Sequence, residues 1–283
     1  MIEVKIDGQR VAVAAGTTIL AAARRLGLEI PTLCHHEALE PFGACRLCLV
    51  ALDEGGRQSI VAACNYPLER SGLSVETGTP AVWQARKMSL KLLLARCPGV
   101  KVLQDLARQW RVDTADLLLT GDGEEECILC GLCVRVCREV IGKNAISFVY
   151  RGAERKVSTP FDAETDLCLG CAACAYLCPT GAIKVREEAG RLLIDRWHSD
   201  LEQALCSECG RPVVPAELLV QMREKAAEEG VPGEELLCLR CRRMRAAAAA
   251  TALPVPQYGP ADSFPARRSS REEPDVNQAR KGK

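Results

Sequence analysis

The 283-residue chain is poor in aromatic and histidine residues, carries no net charge and contains no long apolar segment. Its 37 Lys and Arg residues equal its 37 Asp and Glu residues, so it lacks the basic surplus that nucleic-acid binding requires. No apolar run of about 18 residues occurs, so we expect no membrane-spanning helix. With only 3 Trp, 4 Tyr and 4 Phe, something other than large rings must help to fill the core.

The sequence also lacks the common motifs of substrate-binding enzymes. There is no G-x-G-x-x-G after a strand, no G-x-x-x-x-G-K-[ST], and no suggestion of a Ser-His-Asp or Cys-His nucleophile set. The first residues, MIEVKIDGQRVAV, predict a strand and a turn rather than a secretion leader, which favours a cytoplasmic location. We therefore expect no catalytic residue in this chain.

Cysteine is what the chain has in abundance. It contains 17 Cys, an odd number, and most of them are separated by two residues. In an intracellular chain this spacing indicates metal binding rather than a disulfide framework.

The sequence predicts an α+β organisation with several modules. Asp7-Gly8 between alternating apolar residues predicts a hairpin, and a helix from Ile19 is capped by Thr17 or Thr18 and ended by Gly27. Short apolar runs predict further strands over 47–52, 59–63 and 73–75. The predicted boundaries are a small sheet domain over 1–80, a helical linker over 81–123 broken at Pro98-Gly99, a cysteine-rich domain over 124–186, a module over 187–245 and a disordered tail over 246–283. In the fourth module we expect a connector over 187–205 and a helix near 216–229.

The cysteine-rich domain contains an internal repeat. Cys127-x2-Cys130-x2-Cys133-x3-Cys137 recurs as Cys168-x2-Cys171-x2-Cys174-x3-Cys178-Pro179, which is the bacterial ferredoxin run for [4Fe–4S] clusters. In this run the fourth cysteine ligates the other cluster, and the alternative of two zinc sites fits the spacing poorly. Gly131 and Gly170 would let the backbone pass close to a cluster. The predicted ligand sets are Cys127, Cys130, Cys133 and Cys178 for one cluster, and Cys137, Cys168, Cys171 and Cys174 for the other.

A third set lies in the N-terminal domain as Cys34-x10-Cys45-x2-Cys48-x15-Cys64. One lone cysteine, a close pair and a distant cysteine is the layout of plant-type [2Fe–2S] ferredoxins, although the first gap is longer here. A structural zinc is the alternative. A Rieske centre is rejected because no C-x2-H follows Cys34-x-His36, so His35 and His36 are expected to be loop residues.

The last cysteines form two pairs, Cys206-x2-Cys209 and Cys238-x2-Cys241. Two C-x2-C pairs can converge on one tetrahedral metal, which predicts a zinc-ribbon-like module. Zinc is favoured, and a rubredoxin-like iron or no metal are the alternatives. Cys97 belongs to none of these sets.

These motifs resemble a known family. The segments IPTLCHHEALEPFGACRLCLV and ECILCGLCVRVCREVIGKNAISFV resemble the [2Fe–2S] and two-cluster segments of the large iron–sulfur subunit of complex I. Similar modules occur in the diaphorase iron–sulfur subunit of NAD-reducing hydrogenases, in NAD-linked formate dehydrogenases and in bifurcating hydrogenases. The resemblance covers roughly residues 1–186. It implies a β-grasp [2Fe–2S] domain followed by a two-[4Fe–4S] domain, and electron relay between a flavin- and NAD(P)-binding subunit and a second redox enzyme.

One departure from this family concerns the linker. The family usually binds an extra [4Fe–4S] cluster there through one His and three Cys, but KLLLARCPGVKVLQDLARQW contains Cys97 alone and no His. We therefore predict one [2Fe–2S] cluster, two [4Fe–4S] clusters and one zinc. Two functions remain open, an electron-transfer subunit of an NAD(P)-linked oxidoreductase and a stand-alone or regulatory polyferredoxin that senses redox state. Co-purification with a flavin subunit would distinguish them.

Overall fold

The computed structural model describes residues 1–115, 117, 123–231, 233 and 235–252. Two compact units divide the chain at residue 236, so that Met1–Leu236 form the first and the second begins at Leu237. Within the described residues, no helix has both the length and the apolar character that crossing a bilayer requires.

The N-terminal part of the first unit is a five-stranded sheet with a helix against it. Strands β1 (Ile2–Ile6) and β2 (Gln9–Val13) form the predicted hairpin, in which Asp7 and Gly8 both have positive φ. Helix α1 (Ile19–Arg25) begins after Thr18, whose hydroxyl accepts from the Ala21 N–H, so this prediction is also confirmed. With β3 (Leu49–Asp53), β4 (Gln58–Ala62) and β5 (Ser74–Glu76), the strand order is β2-β1-β5-β3-β4, and only the β1–β5 pair is parallel.

The predicted linker forms two helices, α2 (Pro80–Arg96) and α3 (Lys101–Gln109). The chain breaks between them at Pro98-Gly99, as predicted. Arg86 of α2 is buried and donates from Nε to the Leu49 carbonyl at 2.9 Å, which fixes the helix to β3. Trp83 and Trp110 meet edge to face with ring centres 5.5 Å apart, which packs the end of α3 on α2.

The cysteine-rich domain is made of short elements. Helices α4 (Leu132–Arg135) and α5 (Ala173–Tyr176) each follow the second cysteine of a repeat, and a π-helical turn over Val136–Val140 continues α4 through Cys137. A small antiparallel pair, β6 (Ser147–Val149) and β7 (Lys156–Ser158), lies between the repeats.

The expected connector over 187–205 is wrong. This segment forms most of a four-stranded sheet of order β11-β10-β9-β8, made by β8 (Val185–Glu188), β9 (Arg191–Ile194), β10 (Ser199–Leu205) and β11 (Pro212–Pro215). Ala189 and Gly190, both with positive φ, turn β8 into β9. Ala-Gly is a weaker hairpin signal than Asn-Gly or Asp-Gly, and the alternation of Leu192 with Ile194 was the available clue.

Two helices complete the described chain. Helix α6 (Ala216–Glu228) confirms the predicted helix of the fourth module. Helix α7 (Leu239–Ala252) belongs to the second unit, and it shows that residues 246–252 are helical rather than part of a disordered tail. An alanine-rich run favours helix over disorder, which composition alone had not decided. The rest of the predicted tail, 253–283, lies outside the described residues.

Candidate iron–sulfur and metal sites

The four cysteines of the N-terminal set come together at one edge of the five-stranded sheet. Cys34 and Cys45 lie in the loop after α1, Cys48 directly precedes β3, and Cys64 follows β4. All four side chains are buried, and the backbone N–H of Cys45 donates to the Cys34 sulfur at 3.4 Å. The fold therefore gathers three of these cysteines from one loop and one from a neighbouring strand end.

The four thiols lie within hydrogen-bonding reach of one another, and this shifts their pKa values in opposite directions. Hydrogen bonds from the thiols of Cys45 and Cys64 lower the pKa of Cys34 to about 2, and a hydrogen bond from Cys64 lowers the pKa of Cys48 to about 7. The pKa values of the two donors move in the opposite direction. The hydrogen bond to the Cys34 sulfur raises the pKa of both Cys45 and Cys64. Sulfur atoms within hydrogen-bonding reach of one another are close enough to act together as ligands of one metal group.

The two ferredoxin-type repeats form two cavities with crossed cysteine sets. One cavity is lined by Cys127, Cys130, Cys133 and by Cys178 of the second repeat. The other is lined by Cys168, Cys171, Cys174 and by Cys137 of the first repeat. The structure thus brings together the same four cysteines that the sequence grouped for each cluster.

The chemistry of these two donor sets fits a metal cluster. Burial raises the pKa of Cys130 to about 12 and that of Cys174 to about 11, and it also raises the pKa of Cys127, Cys133 and Cys137. A buried thiol stays protonated unless positive charge stabilises its thiolate, and bound iron supplies such charge. Backbone N–H groups also point at the sulfurs, as that of Leu129 does at Cys127.

The internal repeat extends to the backbone around the second cysteine of each run. Leu129 and Gly131 flank Cys130 with φ of 53° and 74°, and Gly170 and Ala172 flank Cys171 with φ of 67° and 55°. Each repeat therefore places one glycine and one non-glycine residue in the left-handed region. A non-glycine residue there costs about 1–2 kcal/mol, which is the kind of local strain that functional sites retain.

The two glycines are needed because neighbouring side chains fill the space beside them. A Cβ on Gly131 would lie 3.1 Å from Phe42 and 3.2 Å from Phe148. A Cβ on Gly170 would lie 2.6 Å from Leu201 and 2.8 Å from Pro215. Gly170 is thus the point at which the four-stranded sheet packs on the second cysteine loop, a reason the sequence had not suggested.

Cys97 lies in the same apolar core as Cys34, Cys45 and Cys130, but it lines neither of the two cysteine cavities. It is fully buried at the end of α2, and its N–H bonds to the Leu93 carbonyl. Burial raises the pKa of its thiol to about 12. His35 is partly buried, and its pKa is lowered by burial, as suits a neutral loop histidine.

The last two cysteine pairs lie in different units. Cys206 and Cys209 occupy a tight turn after β10, in which the Gly210 N–H bonds to the Cys206 carbonyl and Gly210 has φ of 66°. Cys238 and Cys241 lie at the start of α7, where the Cys241 N–H donates to the Cys238 sulfur at 3.5 Å. The sequence pattern groups these two pairs as one candidate metal-binding set.

Two residues near the sites were missed by the sequence analysis. Arg135 of α4 is buried and donates to the carbonyl of Cys34 at 2.7 Å and to that of Glu40. Trp197, in a 3₁₀ turn between β9 and β10, donates from its indole N–H to the Cys174 sulfur at 3.4 Å. A lone Arg or Trp carries no spacing signal, so no pattern in the sequence could have identified either one.

Comparison with known proteins identifies both iron–sulfur domains. Residues 1–80 match the family described as a 2Fe-2S iron-sulfur cluster binding domain, and residues 126–182 match the 4Fe-4S dicluster domain. The chain is 34% identical to one of the subunits of an NADH-quinone oxidoreductase from Rhizobium meliloti (strain 1021), over 86% of this chain and 31% of that protein.

Two further relatives have related names. The chain is 32% identical to the NADPH-Fe(3+) oxidoreductase subunit alpha of Geobacter sulfurreducens, over 65% of this chain and 24% of that protein. It is 33% identical to the NADH-ubiquinone oxidoreductase 75 kDa subunit of Reclinomonas americana, over 65% of this chain and 29% of that protein. The chain thus spans between 24% and 31% of the length of these curated relatives.

A solved structure shows the same likeness. A chain of an NAD+-reducing [NiFe]-hydrogenase in the H2-reduced state is 27% identical, with a TM-score of 0.54, over 69% of this chain and 87% of that one. The resemblance to iron–sulfur subunits of NAD(P)(H)-linked oxidoreductases, predicted from the motifs, is therefore confirmed.

Proposed function

We propose that this chain is an electron-transfer subunit that relays electrons between a flavin- and NAD(P)(H)-binding subunit and a second redox enzyme in a multi-subunit oxidoreductase. The observation that carries the proposal is the direct packing of the [2Fe–2S] domain on the dicluster domain. Arg135 joins them through the carbonyls of Cys34 and Glu40, and Phe42 stacks on Phe148 with ring centres 6.1 Å apart.

Two apolar cores support a relay through this junction and into the dicluster domain. One core contains Cys34 and Cys45 of the first set together with Cys130 of the dicluster domain, and Leu132 and Val136 fill the space around them. A second core contains Cys133 and lies against cysteines of both cavities. Electron tunnelling weakens steeply with distance, so cysteine sets that share a packed core favour conduction over isolated binding sites.

The proposed cofactors follow the cysteine sets. The N-terminal set holds one [2Fe–2S] cluster, and the two cavities hold one [4Fe–4S] cluster each, which supply one-electron chemistry over a wide range of potentials. The strand order of the N-terminal sheet, with its helix packed against it, supports a β-grasp domain. We also propose that Cys206, Cys209, Cys238 and Cys241 bind a structural zinc in a zinc-ribbon-like module.

The role of this chain is to hold, space and enclose the clusters. Its cysteine side chains provide the ligands, and its apolar cores exclude water from the path between them. The names of the relatives support an NAD(P)(H)-linked complex, and one of them is a hydrogenase. A flavin-binding subunit as the NAD(P)(H) partner, and a hydrogenase, formate dehydrogenase or similar enzyme as the second partner, are part of the proposal. Among residues 81–115, Cys97 is the only cysteine and is buried, so the relay proposed here runs without the extra linker cluster.

Cys45→Ser tests whether the [2Fe–2S] site belongs to the main path. The variant is produced in the assembled complex, and NAD(P)H-linked turnover is measured beside Cys97→Ala as a control cysteine outside every proposed site. We expect turnover to be abolished in Cys45→Ser and retained in Cys97→Ala. Full turnover in a correctly assembled Cys45→Ser complex would instead make this site a side branch, and failure to co-purify with a flavin subunit would favour a regulatory polyferredoxin.

Metal analysis tests the cofactor content separately. Anaerobically purified protein should contain about ten iron atoms, two from the [2Fe–2S] cluster and four from each [4Fe–4S] cluster. It should also contain about one zinc per chain. About fourteen irons would mean that a third [4Fe–4S] cluster is bound.

A further inference from the structure

The side chain of Trp197 lies between the two cysteine cavities. It is 1% exposed and lines both of them. It comes from the sheet that follows the dicluster domain, outside the residues that match that family. A large side chain from a separate element thus closes the space between two proposed redox centres.

The indole N–H of Trp197 makes an asymmetric contact. It donates to the sulfur of Cys174, 3.4 Å away, and Cys174 lines only the cavity it shares with Cys137, Cys168 and Cys171. The other cavity meets Trp197 as well, but no hydrogen bond joins the indole to a sulfur there among the described residues. The donor therefore distinguishes two cysteine sets that the sequence repeat makes nearly equivalent.

The turn that carries Trp197 is held from both sides. Asp195 accepts two bonds from Arg186, at 2.7 and 3.2 Å, and Arg196 donates to Glu125 at 3.3 Å. Glu125 lies two residues before the first cysteine of the first repeat. These contacts fix the indole in place relative to the cysteine loops. A fixed indole can donate to one particular sulfur and not to others.

We propose that Trp197 is a potential-setting residue, which raises the reduction potential of the [4Fe–4S] cluster held by Cys137, Cys168, Cys171 and Cys174 relative to that of its neighbour. The inference rests on the proposed cluster assignment. A hydrogen bond to a ligand sulfur stabilises the more negative, reduced cluster, so it raises the potential. The difference gives electrons a preferred resting place within the pair.

Trp197→Phe tests the proposal because it keeps an aromatic ring and removes the N–H. Potentials of both [4Fe–4S] clusters are measured by EPR redox titration of the purified full chain, with Trp83→Phe as the matched control. A hydrogen bond to a charged acceptor contributes about a factor of ten, and only the part that differs between the oxidised and the reduced cluster shifts the potential. We therefore expect reduction of the Cys174 cluster to become less favourable by at most about tenfold, equal to about 59 mV for one electron, with a smaller change at the other cluster and none in Trp83→Phe.

A second measurement separates hydrogen bonding from packing. The chain has 3 Trp, so in a Trp83→Phe/Trp110→Phe background Trp197 is the only one, and it can be replaced by 4-fluorotryptophan. Fluorination makes the N–H a stronger donor, so the potential of the same cluster should rise. Equal shifts at both clusters, or no shift in either experiment, would overturn the proposal alone. Absence of a second [4Fe–4S] signal from the unaltered chain would overturn it together with the cluster assignment.

Discussion

Arg135→Met should loosen the [2Fe–2S] ligand loop from the dicluster domain. Arg135 is 4% exposed, donates to the carbonyls of Cys34 and Glu40, and lies over the ring of Phe42 at 5.3 Å. Each hydrogen bond from a charged donor is worth about 1.5–3 kcal/mol, so losing both costs about 3–6 kcal/mol. Part of this is offset, because Arg135 Nε is buried without a partner and methionine removes the cost of burying that charge. We expect a net loss of about 3 kcal/mol.

Hydrogen exchange in the cluster-loaded protein measures this loss directly. A change of about 3 kcal/mol in a local opening equilibrium speeds exchange by about a hundredfold, since about 1.4 kcal/mol is a factor of ten. The effect should be confined to peptides covering 33–42 and 131–141. The matched control is Arg10→Met, whose exposed ion pair with Glu3 lies away from this junction and is worth about 0–1 kcal/mol. Exchange within threefold of the unaltered protein in Arg135→Met would refute the view that Arg135 holds this junction.

Three further predictions concern individual residues. Cys178→Ser should damage the EPR signal of the cluster proposed for Cys127, Cys130 and Cys133. Cys137→Ser should damage the signal of the other [4Fe–4S] cluster. If each variant lost only the cluster of its own cysteine run, the crossed assignment would be contradicted. Gly170→Ala should lower the thermal stability and iron content, because its Cβ would lie 2.6 Å from Leu201, whereas Gly190→Ala, with open space around it, should retain its iron; equal iron in both would count against this packing. Cys97, whose pKa burial raises to about 12, should resist iodoacetamide in the folded protein at pH 8 and react once unfolded, as mass spectrometry of the labelled peptide would show.

The buried thiol of Cys97 also makes the stability of the folded protein depend on pH. The sign of this dependence follows from the direction of the Cys97 pKa shift. The folded-state pKa lies above the unfolded value, so the folded protein holds this proton more tightly. Burial of neutral Cys97 carries no ionisation penalty below the unfolded pKa of about 8.5. As the pH rises above that value, the unfolded state gains by ionising and stability falls.

The sequence by itself determined the local features of this protein. The spacing of the cysteines was enough to recognise the two ferredoxin runs. Three cysteines that are each separated by two residues can direct their thiols to one cluster from a single short loop. The Asp7-Gly8 turn, the Thr18 cap and the Pro98-Gly99 break were likewise predictable, since each depends on the conformational preferences of neighbouring residues.

Tertiary structure decided what lies between the local features. Arg135 meets the carbonyl of Cys34 across 101 positions of sequence, and Trp197 meets Cys174 across 23. Neither contact leaves a periodic or spaced signal, because its partner is chosen by how separate elements pack. The strands after residue 185 were missed for the same reason: their pairing stabilises them more than their own propensity does. The cysteines identify where iron is expected. The packing around them decides which sites are in contact, as through Arg135, and which site receives a hydrogen bond that its neighbour lacks, as through Trp197.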